Sequence, residues 1–189
     1  MKQLVPEDSD ILHRPTIDID IDNPQINLQE LEEELFECME HYNGVGLAAN
    51  QIGYSYSAFA MLHEDTPMMV INPQIDNESD DVIMVEEGCL SYPGLYVKIK
   101  RPSSIATRYY DKDGQLLIGA FSELSARVFQ HECDHIKGYV FHDLASQFHM
   151  KEARRKRVAY LRKMKKRNSV LWQSHLNNKK QKKDIQKTL

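Results

Sequence analysis

The residues with the clearest chemical potential are two histidines four positions apart, His131 and His135, with Glu132 between them. Side chains four residues apart lie on the same face of a helix, so both imidazoles can bind one metal ion. Glu132 lies beside that face, where its carboxylate can reach a water molecule on the metal. This HExxH pattern predicts a metal-dependent hydrolytic site, although a match of five residues also arises by chance.

Two histidines leave a divalent metal ion short of protein ligands, and Cys89 is the candidate for a third. It lies in Glu87-Gly88-Cys89-Leu90-Ser91, directly after a β-rich segment, where the glycine permits a tight backbone turn. One thiolate and two imidazoles leave the fourth tetrahedral position open, which is the arrangement of catalytic zinc sites. Cys133 is about 200° round the helix from His131, so we expect it to pack in the core.

A third segment, residues 44–53, reads Gly-Val-Gly-Leu-Ala-Ala-Asn-Gln-Ile-Gly and is rich in small residues. It follows a predicted helix and lacks the glycine spacing of a nucleotide-binding loop, which argues against phosphate binding. Small residues instead allow the backbone to pass close to a ligand. Gln51 offers a neutral amide that can donate to an oxyanion.

The elements that must position these residues include two predicted helices. Ser122 is the expected N-cap of the helix that carries the histidines, and Gly138 follows its end. An earlier helix begins after Asn27, with Glu30 as a capping-box partner, and stops at Asn43-Gly44. Its predicted apolar face consists of Leu31, Leu35, Cys38, Met39 and Tyr42.

Short β-rich segments fill the middle of the chain. The predicted strands are residues 57–62, 69–72, 82–86, 96–99, 104–110 and 115–118. The last two are joined by Asp111-Lys112-Asp113-Gly114, which predicts a hairpin. Ile17 to Asp22 alternates apolar and acidic residues, which predicts an edge strand with one solvent-exposed face.

Composition fits one globular domain, since 41% of the 189 residues are hydrophobic and 28% are charged. Three cysteines at irregular spacing argue against a disulfide framework. No stretch approaches the roughly 18 apolar residues of a membrane span, and the acidic N-terminus lacks the apolar core of a secretory signal. We therefore expect a cytoplasmic protein with no membrane contact.

Charge divides the chain into two parts. Residues 1–150 carry 9 Lys and Arg against 26 Asp and Glu, whereas residues 151–189 carry 15 against 2, so net charges of −17 and +13 give the total of −4. The sequence predicts a catalytic domain over 1–150 and a basic tail over 151–189, removable without loss of catalysis. Any contact with a polyanion should belong to the tail. The alternative is a solvated basic helix that is attracted only to the acidic body.

The tail is predicted to be partly helical. A helix is expected from Leu144 to about Arg167, followed by a small apolar cluster at Val170, Leu171, Trp172 and Leu176 and a frayed end from Asn177. Its apolar stripe is thin, so it should bury little surface. The residues of that stripe are Val158, Leu161 and Met164.

The segments GVGLAANQ, EGCLS and QHECDHIKG, in this order, resemble the three signature motifs of the peptide deformylases. These metallohydrolases remove the formyl group from the initiator methionine of new polypeptides and release formate. The likeness extends from about Ile11 to about Ser146. It implies an α+β fold with antiparallel β-sheets around a central HExxH helix, with the basic C-terminal helix added.

The resemblance also implies a metal centre and its chemistry. Cys89, His131 and His135 would hold one divalent ion, Fe(II) in the native enzyme and replaceable by Zn, Ni or Co. Glu132 would act as general base and acid. Gln51 and the backbone N–H of Leu90 would stabilise the oxyanion.

Further roles follow from the same resemblance. Gly46 would contact the substrate backbone, and the methionine pocket would be lined by Val45, Leu124 and Val128 with the ring of His131. Glu87 and Arg101 resemble a pair that braces the cysteine-bearing segment; the alternative is a surface pair of little energetic value.

Two other functions fit parts of the pattern. A zinc endopeptidase also requires HExxH, but it gives no role to EGCLS or to the segment around Gln51. A nucleic-acid-binding protein with a structural metal site would explain the tail, but not a glutamate beside an open coordination position. The expected partners are N-formylmethionyl nascent peptides, and ribosomal RNA for the tail, because related bacterial enzymes resemble this chain in having a C-terminal helix that anchors them to the ribosome.

Overall fold

The computed structural model of the chain describes the backbone of residues 1–186 and the side chains of residues 1–167. Its helices are α1 (Leu28–His41), α2 (Glu123–Ile136) and α3 (Gln147–Gln186). Its strands are β1 (Gly46–Ala48), β2 (Ala58–His63), β3 (Thr66–Glu78), β4 (Val82–Gly88), β5 (Tyr96–Pro102), β6 (Ser104–Tyr110) and β7 (Leu116–Ser122). The α+β class expected from the sequence is confirmed.

An antiparallel sheet in the order β1-β2-β3-β6-β7 separates two cores. Alternate residues of β2 point to opposite faces, so Ala58 and Ala60 pack with α1 whereas Phe59 and Met61 pack with α2. A separate antiparallel pair, β4 and β5, lies on the other side of α2. Arg127 of α2 donates to the backbone carbonyls of Ile83 and Ile99 in this pair. The HExxH helix is therefore central, with β-structure on both sides.

The helix ends agree with the sequence predictions in position. Asn27 caps α1 by accepting from the backbone N–H groups of Gln29 and Glu30. Ser122 occupies the N-cap of α2, but its side chain makes no capping hydrogen bond. Gly138 follows α2 with φ of +76°, and a Cβ there would lie 2.7 Å from the backbone of Arg14. A glycine is therefore required for the chain to turn away from α2 at this point.

The predicted edge strand at residues 17–22 is wrong. Ile17 makes one isolated bridge with Tyr56, and no ladder continues from it in the described chain. The side chain of Asn72 replaces a strand partner, because it accepts from Ile19 N–H at 2.9 Å and donates to the Ile19 carbonyl at 2.7 Å. Asp20 then accepts from two following backbone N–H groups and turns the chain.

Helix α3 packs on the body further along the tail than the sequence suggests. Ala153 is 2% exposed, in a cluster with Tyr92, Leu95 and Val97, and Arg157 donates to the carbonyl of Pro93 at 3.2 Å. The packed face is therefore that of Ala153, Arg157 and Tyr160, whereas Val158 and Leu161 of the expected stripe are exposed. The small side chain of Ala153 allows the close approach, which the hydropathy pattern does not reveal.

Helix α3 begins and ends later than the sequence predicts. The helix begins at Gln147, three residues after Leu144, and its backbone is helical through Gln186, beyond Arg167. The apolar cluster at residues 170–176 lies outside the described side chains, and the frayed end stays a prediction. Within residues 1–186 no helix is long and apolar enough to cross a membrane.

Candidate active site

Three side chains from two elements meet beside α2. His131 and His135 come from consecutive turns of the helix, and Cys89 follows Gly88, the last residue of β4. The Sγ of Cys89 lies 3.2 Å from Nε2 of His135, and the candidate ligand atoms of the three residues all lie within 4.8 Å of one another. The structure thus brings the three predicted ligands together.

The donor set fits a divalent transition-metal ion. One sulfur and two imidazole nitrogens suit zinc or iron and leave a coordination position for water. Oε2 of Glu132 is buried beside this cluster and has no hydrogen-bond partner among the described residues. An unpaired buried carboxylate oxygen is costly unless another group binds it, which a water molecule on a metal ion would do. Cys133 lies in the core with Phe129, away from the cluster, as expected.

Glu132 is held close to the start of β1. A Cβ at Gly46 would overlap Oε1 of Glu132 and lie 2.7 Å from a methyl group of Val128, so a larger residue there would displace the Glu132 carboxylate. Burial raises the pKa of Glu132 to about 7. A carboxylate with that pKa can both accept and donate a proton near neutral pH.

Glu87 joins the strand pair to the helix. Its carboxylate accepts from Nε of Arg101 at 2.7 Å, from a guanidinium nitrogen of Arg127 at 2.5 Å and from Nδ1 of His131 at 3.1 Å. Glu87 and Arg101 are 6% and 4% exposed, so the alternative of a surface pair is wrong. With Nδ1 bound to Glu87, His131 keeps Nε2 for a metal ion.

The hydrogen bonds at Glu87 shift the pKa values of Glu87 and His131 in opposite directions. Burial raises the Glu87 pKa, but hydrogen bonds from His131 and Arg101 outweigh it and lower the pKa to about 2. Burial lowers the His131 pKa, but hydrogen bonds with Cys89 and Glu87 raise it to about 10. A proton and a metal ion therefore compete for the same imidazole. Burial also lowers the pKa of His135, which favours its neutral, ligating form.

Gln51 is fixed with its amide nitrogen toward the cluster. Its Oε1 accepts from the backbone N–H of Ala48 at 2.8 Å, and its Nε2 donates to Oγ of Ser91 at 3.0 Å and to Sγ of Cys89 at 3.4 Å. Gln51 is 1% exposed, so its side chain has little freedom to reorient. A donor is thus held beside the predicted ligands.

The cluster opens into a cavity of about 470 Å³. Predicted site residues that line it are Val45, Gly46, Gln51, Cys89, Leu90, Val128, His131 and Glu132. Leu124 is not among them, since it is 63% exposed and borders an adjoining cavity that shares Val45 and Val128. Tyr160 of α3 also lines the main cavity.

Sequence reasoning missed three residues of this site. Arg127 precedes His131 by four positions on a buried helix, and a charge in such a place is a signal for a buried ion pair. Ser91 lies in the EGCLS segment and had no assigned role. Tyr160 is far from the motifs in sequence, and no periodic pattern marked it.

An antiparallel α+β fold around an HExxH helix, with a Cys/His/His cluster open to a cavity, defines a metal-dependent hydrolase. The family model described as polypeptide deformylase matches residues 1–151. The chain belongs to the peptide deformylase family, and the resemblance seen in the three motifs is confirmed.

Two relatives with similar sequences are also peptide deformylases. The peptide deformylase of Thermotoga petrophila is 42% identical over 120 residues, which are 64% of this chain and 73% of the relative. The chloroplastic peptide deformylase 1B of Solanum lycopersicum is 34% identical over 168 residues, 86% of this chain and 60% of that one.

Two crystal structures show the shared fold. A Synechococcus elongatus peptide deformylase in complex with actinonin has a TM-score of 0.75 at 30% identity, covering 80% of this chain and 85% of that one. The Thermotoga maritima peptide deformylase has a TM-score of 0.73 at 35% identity, covering 77% and 98%. These similarities do not favour the two alternative functions, a zinc endopeptidase and a nucleic-acid-binding protein with a structural metal site.

Proposed function

We propose that this chain removes the N-formyl group from the initiator methionine of nascent polypeptides at the cluster of Cys89, His131 and His135. Membership of the deformylase family gives the reaction class. The observation that carries the proposal is the position of Glu132, buried beside the cluster with one unpaired oxygen and facing the cavity.

The metal ion would be held by Sγ of Cys89 and by Nε2 of His131 and His135. Fe(II) is proposed as the native ion, with Zn, Ni or Co able to replace it. When bound, the ion polarises the formyl carbonyl and lowers the pKa of a coordinated water. The Glu87 carboxylate fixes the ring of His131 through Nδ1.

Glu132 would move the proton in both halves of the reaction. Its unpaired Oε2 accepts a proton as water oxygen bonds to the formyl carbon, and it returns the proton to the nitrogen as the C–N bond breaks. The products are formate and a peptide with a free amine. The pKa of about 7 suits a group that must be deprotonated in one step and protonated in the next.

Gln51 and Leu90 would stabilise the negative charge that develops on the formyl oxygen. Oε1 of Gln51 is anchored by the Ala48 N–H and Nε2 by Ser91, so the amide is held beside the cluster. The Nε2 hydrogen now directed at Sγ of Cys89 would be the donor to the oxyanion. The backbone N–H of Leu90 would be the second donor. Gly46 would contact the substrate backbone, and Val45 and Val128 would line the methionine pocket, with Leu124 at its outer side.

The basic tail would bind ribosomal RNA near the emerging nascent chain. Outside its packed face α3 carries exposed cations, which are Arg154, Arg155, Arg162, Lys163 and Lys165. The body has a net charge of −17 and repels polyanions, so the contact falls to this helix. Tethering raises the local concentration of substrate. We propose the cytoplasm as its compartment, although one relative is chloroplastic.

Formate release from a formyl-methionine peptide by freshly prepared, oxygen-protected protein tests the proposal. We expect formate release, no cleavage of internal bonds in an unfolded protein, and inhibition by a hydroxamate, which chelates such metal ions bidentately. Actinonin, bound in the Synechococcus enzyme, is a second probe. Proteolysis without formate release would show that the chain is a zinc endopeptidase.

A further inference from the structure

The main cavity has a wall that belongs to the tail helix. Tyr160 lines it beside Tyr92, Pro93 and Gly94, a turn that begins three residues after Cys89. A Cβ built on Gly94 would overlap the Tyr160 ring, and Gly94 has φ of +75°. The ring therefore lies directly on this turn, and the glycine provides the space for it.

Several contacts fix the helix at this wall. Ala153 is buried against Tyr92 and Leu95 about two turns before Tyr160. The guanidinium of Arg157 donates to the Pro93 carbonyl and forms an ion pair with Glu7. Because the helix is held by a buried side chain and by charge-assisted contacts, the position of the Tyr160 ring is determined by the body of the enzyme.

Tyr160 borders only the main cavity, unlike the residues of the proposed methionine pocket. Val45 and Val128 connect the main cavity to a second one that Tyr160 does not border. Tyr160 is 40% exposed, so part of its surface is available to a ligand. Neither its contacts nor its exposure is explained by the deformylation step itself.

We propose that Tyr160 is a specificity-determining residue that packs against the side chain following the formyl-methionine of the substrate. This rests on the proposed function, with the methionine at Val45 and Val128. With the formyl group at the cluster of Cys89, His131 and His135, the side chain after the methionine would point toward the turn of Pro93 and Gly94. An aromatic ring at this wall favours an apolar residue at the second position of the peptide.

The test compares two peptides of equal length, formyl-Met-Leu and formyl-Met-Gly at their first two positions. We expect Tyr160→Ala to lower the ratio of kcat/KM for leucine over glycine about tenfold, because the leucine loses its apolar partner. Tyr160→Phe should keep the wild-type ratio. The ratio is measured within one preparation, so a loss of folded protein cancels.

Tyr139→Ala is the matched control, since Tyr139 is 58% exposed and does not line the cavity. It should leave the ratio unchanged. An unchanged ratio in Tyr160→Ala, or an equal fall in Tyr139→Ala, would overturn the inference while leaving deformylation in place. A wild-type protein that releases no formate from either peptide would overturn the proposed function and this inference with it.

Discussion

Glu132 shows how a single residue acquires a chemical role from its surroundings. The same carboxylate on an exposed helix face would be an ordinary solvated charge. Here it is buried, its pKa is raised to about 7, and one oxygen has no partner among the described residues. Glycine at position 46 makes the space that allows this placement. The role therefore depends on a neighbouring residue that has no side chain at all.

Glu132→Gln should separate metal binding from catalysis. The amide cannot carry the proton, so we expect activity to fall on the order of 10²-fold or more while the metal content stays near that of the wild type. Metal content per chain and formate release are the measurements. Glu40→Gln, on an exposed position of α1, should change neither. Stoichiometric loss of metal from Glu132→Gln would make Glu132 a ligand.

At the scale of elements, α2 and the pair β4 and β5 are joined through Glu87. Its carboxylate binds Arg101 of β5 and both Arg127 and His131 of α2. Leaving such buried cations without a partner is costly. The cysteine-bearing segment directly follows Glu87, so this ionic contact ties the start of that segment to the helix that carries the two histidines.

Glu87→Gln should destabilise the protein in a way that depends on pH. The Glu87 pKa is lowered from 4.5 to about 2, so the ionised group stabilises the fold above pH 4.5 and this contribution is lost as pH falls toward 2. We expect a loss of about 3 kcal/mol at pH 6 that shrinks toward pH 2. Denaturant unfolding of chelator-treated protein measures it.

Glu86→Gln is the control for that series, because Glu86 is exposed and its pair with Lys156 is long, at 3.8 Å. It should cost little at any pH. A loss in Glu87→Gln that is the same at pH 6 and pH 2.5 would show that packing, and not charge, holds the two elements together.

Local patterns explain which elements the sequence predicts well. The spacing of His131 and His135 requires only helical periodicity, and the hairpin of β6 and β7 requires only a turn between two β-rich runs. The prediction of a strand from Ile17 was wrong because the backbone of Ile19 is bound by the side chain of Asn72, which lies 53 positions away in the sequence. Arg127 and Tyr160 were missed for the same reason, since their partners are distant in sequence and are brought near only by the fold.

At the scale of the whole molecule, the division of charge does not coincide with the division of packing. The basic region begins at Lys151, but Ala153, Arg157 and Tyr160 of that region pack on the acidic body. A truncation at Met150 would remove part of the cavity wall. A truncation after Leu161 keeps this wall and still removes ten of the 15 basic residues of the tail.

The chain ending at Leu161 should therefore retain turnover of short formyl peptides but bind ribosomes at least about tenfold more weakly. The intact protein should lose ribosome affinity as salt rises from about 50 to about 200 mM, because counterions compete with its cations. Cosedimentation with ribosomes measures both. Unchanged and salt-insensitive binding by the shortened chain would remove the case for the tail.

The different burial of the three cysteines has a practical consequence. Cys38 and Cys133 are buried, whereas Cys89 is partly exposed at the cluster. An alkylating reagent should therefore modify Cys89 first, and a bound metal ion should protect it by engaging the sulfur lone pair. After brief treatment with iodoacetamide, the mass spectrum of the intact protein would show two populations. Their ratio would count loaded against unloaded molecules in a mixed preparation, with no label added to the chain.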